Sequence, residues 1–184
     1  MTSKKIKYLI VFSLIVLAII VLSMIASGIL KETERLTLRE ETLIKNSIID
    51  SVAINNSLRD SIVSFGLDLL GTPYVVGACS RDGFDCSGFV YYVFQHYKIR
   101  VPRSSSQFKN FGKEIPIDSV RKGDILLFLS PTRNVIGHVG IVANPKGKDS
   151  DFIHASSGSE MKVIISSLKQ QGYKRRFVKA IEVL

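Results

Sequence analysis

Residues 121–129 read RKGDILLFL, and the texture of the chain changes there. After Gly123 come short apolar runs: ILLFL, HVGIVA, DFIHAS, KVIISS and RFVKAIEVL, separated by Gly, Pro, Asn and Ser. Such runs, bounded by turn residues, predict strands. Before Arg121 the apolar residues recur at helical spacing. Phe89, Val90, Val93, Phe94 and Tyr97 fall on one helical face, so a helix is expected from Cys86 or Ser87 to about Tyr97. An earlier helix, LRDSIVSFGLDLLG, is expected to end at Gly71 and Pro73, and residues 72–85 read as a loop. After Pro102, RSSSQFKNFG predicts a short third helix with Ser104 as its cap. Helices first and strands later make an α+β domain with an antiparallel sheet.

Further out, the chain has a different character. From Tyr8 to Leu30 there is no charged residue, and the run is nearly all aliphatic. About 20 such residues span a bilayer. Signal-peptide cores are shorter, at about 7–15 residues. A single uncleaved transmembrane helix is therefore expected, although Ala26 and Gly28 would also suit a cleavage site. Lys4, Lys5 and Lys7 precede the run and place the N-terminus in the cytoplasm, with the remainder on the periplasmic or outer face. Residues 31–57 lack Pro and Gly and read as a helical stalk. The expected organisation is an anchor over 1–30, a stalk over 31–57 and a folded domain over 58–184.

The net charge is +9, and much of the excess lies in the folded domain. A basic exported domain suits anionic lipid or anionic wall polymer. No nucleic-acid-binding motif is present, so no nucleic-acid partner is expected. Two cysteines are too few for a disulfide framework. Cys79, Cys86, His138 and His154 do not have the spacing of a structural zinc site. No metal or cofactor is expected.

Cys86 stands where the second helix begins. A helix N-terminus favours a thiolate, and Asp85 can cap the helix. A small buried apolar residue is the alternative. Histidine usage shifts the balance. Of three histidines, His138 lies in IGHVGIV and His154 in DFIHASS, each within an expected strand. A cysteine nucleophile needs a base, and the base needs an orienting group. His96, near a helix C-terminus, has no such role.

The segments GTPYVVGACSRDGFDCSGFV, VPRSSSQF, KGDILLF, GHVGIV and FIHASS occur in the order and approximate spacing of the NlpC-type family of papain-like cell-wall cysteine peptidases. The closing stretch, from Val163 to Leu184, resembles most the Spr-type murein endopeptidases. The resemblance covers nearly all of residues 58–184. It implies a papain-like fold, with N-terminal helices packed on an antiparallel sheet. It also implies Cys86 as nucleophile, His138 as general base and His154 as the residue orienting His138. By the same resemblance Tyr74 lies near the oxyanion, and Asp85, Ser87, Arg103 and Ser105 lie where the family contacts the stem peptide. Ala78 and Cys79 depart from the family pattern, as does the missing aromatic near Val76. The implied activity is hydrolysis of peptidoglycan stem peptides, at a γ-D-glutamyl–diamino acid bond or a D-alanyl–diamino acid cross-link. The rival readings are a non-catalytic wall-binding protein and an acyltransferase on the same fold.

Overall fold

The computed structural model describes residues 3–184, with side chains from residue 8 onward. The chain divides after Ala53 into two compact units.

The first unit is helical. Helix α1 (Ser3–Leu67) has no break near residue 30 or residue 57. The physical reason is composition: residues 31–57 contain no Pro or Gly, and a Cβ added at Gly28 would meet nothing within 4 Å. The aliphatic side chains from Tyr8 to Leu30 are exposed. Among the described residues, α1 is the one helix long and apolar enough to cross a membrane, and it is a candidate anchor.

The second unit is an α+β domain. The end of α1 contributes Ile62 and Val63 to its core. The helix stops at Leu67, earlier than Gly71, and residues 68–71 continue as turns, with Gly71 at φ +84°. Residues 72–85, expected as a loop, carry a small antiparallel ribbon of β1 (Cys79–Ser80) and β2 (Gly83–Phe84). Helix α2 (Cys86–His96) follows. Its expected face is the buried one: Phe89, Val90, Val93 and Phe94 are fully enclosed. Each contributes about 1.5–3 kcal/mol on burial. Tyr97, at the C-cap, is half-buried, and its hydroxyl donates to Ser61 O at 2.7 Å. The expected third helix is a 3₁₀ segment, Ser105–Asn110, with Ser104 at its N-cap.

The remaining chain builds a six-stranded antiparallel sheet. Its strands are β3 (Lys113–Ile115), β4 (Ile125–Leu129), β5 (Ile136–Asn144), β6 (Asp151–Ala155), β7 (Val163–Ser167) and, after helix α3 (Gln171–Arg176), β8 (Phe177–Glu182). The order across the sheet is β3-β8-β4-β5-β6-β7. Alternation along the strands gives the sheet two apolar faces. Leu127, Val139, Ile141 and Ile153 pack with α2, whereas Leu126, Phe128, Val142 and Phe152 pack with Leu168 and Tyr173.

One polar cluster ties the end of α1 to the sheet. Arg59 is 2% exposed and pairs with the fully buried Asp124 at 2.7 Å. It also donates to Glu182 at 3.1 Å, Asn55 Oδ1 at 3.1 Å and Lys122 O at 2.9 Å. Arg121 contacts Glu182 from the other side. Such a cation is tolerated in a core because its N–H groups are satisfied.

Candidate active site

Cys86 is the first residue of α2, and Asp85 is its N-cap. Asp85 Oδ1 accepts from Gly88 N at 2.6 Å, which fixes the first turn. The carboxylate is also gripped by Arg103, at 2.9 Å to Oδ1 and 3.0 Å to Oδ2. The same guanidinium donates to the carbonyls of Gly77 at 2.8 Å and Ala78 at 3.1 Å, and to Ser87 Oγ at 3.2 Å. Arg103 thus joins the ribbon loop, the cap and the first turn behind Cys86. Glycine is required at 88, because a Cβ there would lie 2.2 Å from Ala78 O. Asp85, Ser87, Arg103 and Ser105 line one side of the cleft at Cys86, together with Tyr74. The charges of Asp85 and Arg103 are already matched to each other.

The other side of Cys86 is a cavity of about 210 Å³. Its wall includes Tyr74, Gly137, His138, Ser157, Tyr173 and Arg176. The thiol donates to Gly137 O at 3.7 Å, next to His138 in β5. His138 and His154 stand on the paired strands β5 and β6, and His138 Nε2 lies 2.9 Å from His154 Nδ1. His154 Nε2 in turn lies 3.0 Å from Ser166 Oγ and 3.2 Å from Tyr173 Oη. With both rings neutral, the contacts form one directed chain. His138 Nε2–H donates to His154 Nδ1, and His154 Nε2–H donates to the two hydroxyl oxygens. His138 Nδ1 is then left with a free lone pair.

Burial governs the titration of the set. It pushes the Cys86 thiol up to about 11, and the Asp85 carboxylate adds to the rise. The backbone N–H groups of Ser87, Val139 and Cys86 oppose the shift without cancelling it. The helix N-terminus alone favours a thiolate, but desolvation and the neighbouring carboxylate outweigh it. Burial likewise lowers His138 well below its ordinary range, with His154 and then Arg176 lowering it further. Burial brings His154 down to about 4, assisted by Arg176 and opposed by its contact with the Ala155 backbone. The resting site therefore holds a protonated thiol beside two neutral imidazoles. Tyr74 is raised by burial and by proximity to Cys86 and Asp85, with the nearby Ser157 side chain opposing the rise.

The structure gathers the expected site residues around Cys86, in two groups. Tyr74, Cys86 and His138 line the cavity, with His154 against His138, and Asp85, Ser87, Arg103 and Ser105 line the other side. Cys79 belongs to neither reacting wall: it is a free thiol whose Sγ donates to Gly88 O at 3.4 Å. Ser166, which meets His154, and two polar residues of the cavity wall, Tyr173 and Arg176, were not read from the sequence. The last two sit on α3, a six-residue helix in a stretch that gave no helical period.

The family model described as the NlpC/P60 family matches residues 71–182. The chain is 36% identical over 108 residues to a probable endopeptidase of Haemophilus influenzae, covering 58% of this chain and 63% of that protein. It is 32% identical over 136 residues to the murein DD-endopeptidase MepS/murein LD-carboxypeptidase of Escherichia coli, covering 73% and 68%. It is 33% identical over 106 residues to the gamma-D-glutamyl-L-lysine dipeptidyl-peptidase of Bacillus subtilis, covering 57% and 36%. This chain therefore spans less than two thirds of the first and third of these relatives. Among solved structures, an NlpC/P60 family protein from Bacillus cereus superposes with a TM-score of 0.62 at 28% identity, covering 68% of this chain and 40% of that one.

Proposed function

The chain belongs to the NlpC/P60 family, and on that premise we propose that it is a peptidoglycan endopeptidase working through Cys86. The observation that carries this reading is the placement of the thiol. Cys86 opens a capped helix and shares a cavity with His138, whose far nitrogen is taken up by His154.

The chemistry follows from that arrangement. As Sγ attacks an amide carbonyl of a stem peptide, its proton passes to His138 Nδ1. The imidazolium is stabilised through Nε2–H by His154. The Cys86 backbone N–H and the Tyr74 hydroxyl face the developing oxyanion. The C–N bond then breaks, and His138 returns the proton to the leaving amine. Water attacks the resulting thioester, again giving up a proton to His138, and releases the acid and the thiol. A neutral resting pair suits this sequence, because no ion pair must form in a buried site before substrate arrives.

The apolar part of α1 serves as a single-pass anchor in the cytoplasmic membrane. Lys4, Lys5 and Lys7 favour a cytoplasmic N-terminus, which leaves the domain outside, facing the wall. Protease added to intact spheroplasts tests this: loss of the domain with retention of an N-terminal tag is the expected pattern.

The test of function uses full-length protein in detergent, its Cys86→Ala variant and purified sacculi, with released fragments weighed by mass spectrometry. New fragments from the parent alone are expected. Their masses separate cleavage at a D-alanyl–diamino acid cross-link from cleavage at a γ-D-glutamyl bond. Equal release by Cys86→Ala would refute the assignment.

A further inference from the structure

Arg176 is the charged residue in the wall of the reacting cavity, and no carboxylate lines that cavity. The guanidinium is firmly placed. Its Nε donates to Gly172 O at 2.9 Å, and Nη1 donates to Leu129 O at 3.3 Å. Its Cζ lies 5.2 Å from the Tyr173 ring centroid. The Tyr173 ring in turn stacks at 6.2 Å from that of His138. A guanidinium carries five N–H donors. Two are used by these carbonyls, so among the described residues three are left without a protein acceptor. On the opposite side of Cys86 the corresponding cation, Arg103, is neutralised by Asp85. The two halves of the cleft therefore differ in charge: one is internally matched, and the other offers an uncompensated cation.

The side on which this cation stands is set by chemistry. His138 must reach the leaving nitrogen to protonate it. Arg176 lies beyond Tyr173 on that same wall, so it faces the leaving half of the substrate. We propose that Arg176 is a specificity residue that binds a free carboxylate of the leaving amino acid. The substrate class is a bond to a diamino acid whose amine-bearing end also carries a carboxylate. A leaving amine whose neighbouring carboxyl is an amide, or is absent, leaves the guanidinium unpaired. A half-buried, fork-shaped donor with no carboxylate of its own discriminates against such a loss. This proposal rests on the endopeptidase reading above for the orientation of the substrate.

The experiment compares two synthetic cross-linked stem peptides that differ only in a carboxylate or a carboxamide on the leaving residue. Full-length protein in detergent is expected to prefer the carboxylate in kcat/KM by on the order of tenfold or more. Arg176→Gln should bring that ratio close to one. Arg176→Lys, which keeps the charge without the fork, should lose only part of it and serves if Gln weakens α3. Arg176 also affects His138, but that effect falls on both peptides alike and leaves the ratio unmoved. An unchanged ratio in Arg176→Gln, or no preference in the parent, overturns the proposal. Calorimetry of the same peptides with Cys86→Ala reads the subsite without turnover. Equal affinities there overturn the subsite. Preferential binding of the carboxylate there, with no cleavage of either peptide by the parent, overturns the endopeptidase reading and leaves the subsite standing.

Discussion

His138 Nε2 stands 2.9 Å from His154 Nδ1, and this contact fixes which nitrogen of His138 is free to act as a base. The residues come from neighbouring strands, and their rings are perpendicular. His154 is completely enclosed and held at its far nitrogen by Ser166 and Tyr173. On the function proposed above it acts through His138, as a positioning residue.

Removing that hold should cost turnover without costing the nucleophile. His154→Ala is expected to lower kcat by up to roughly 10⁴-fold, the loss seen when a triad histidine loses its orienting partner. His154→Asn, which offers an acceptor oxygen to His138 Nε2–H, should recover part of the loss. Steady-state hydrolysis of a defined muropeptide makes the comparison, with Cys86 alkylation as the control for an intact thiol. Full activity in His154→Ala would rule out the orienting role.

The protonation state of the resting site has its own signature. With the thiol pushed up to about 11, its thiolate fraction at neutral pH lies below that of an ordinary cysteine. The shift is about two units from 9.0, so alkylation of Cys86 by iodoacetamide at pH 7 should be slower on the order of a hundredfold. The pH profile follows from the same signs. His138 is lowered, so it is neutral at pH 7, and kcat/KM should fall only as pH drops below the usual histidine range and the base protonates. No alkaline loss from the thiol is expected until pH approaches about 11. Fast alkylation of Cys86 near pH 6, read peptide by peptide to separate it from Cys79, would instead show a preformed thiolate–imidazolium pair.

Stability should hinge on Arg59. Truncating it strands Asp124, which is fully buried. Arg59→Ala is expected to cost about 3–5 kcal/mol, the usual penalty for removing one partner of a buried ion pair. Chemical denaturation of the full chain in detergent, followed by tyrosine near-ultraviolet dichroism, reads the domain separately from the helical signal of α1. A loss below about 1 kcal/mol would place the pair among inconsequential surface contacts.

Much of this was legible in the sequence because short-range signals were strong. The buried face of α2 follows from period alone, and five strands follow from apolar runs between turn residues. The residue types at 86, 138 and 154 pointed to a shared site before any geometry was known. Other features depend on long-range relations. Arg59 and Asp124 lie 65 positions apart, and Arg103 and Asp85 lie 18 apart, so neither pair leaves a local pattern. β3 has three residues and α3 has six, too few for a period to register. The placement of β8 between β3 and β4 is a choice of pairing that hydropathy does not encode. The thiol illustrates a different limit. Its position at a helix N-terminus favours the anion, but the burial that opposes it exists only once α2 is packed on the sheet.

That packing has a consequence for when the protein is dangerous. Cys86 belongs to the helical layer, whereas His138 and His154 belong to the sheet, 52 and 68 residues further along the chain. Neither layer holds a working set by itself. A chain in which the two layers have not docked carries a thiol and two histidines that do not meet. On the proposed function, hydrolysis therefore requires both layers to be docked, and a fault that separates them disarms the site without touching any of its residues.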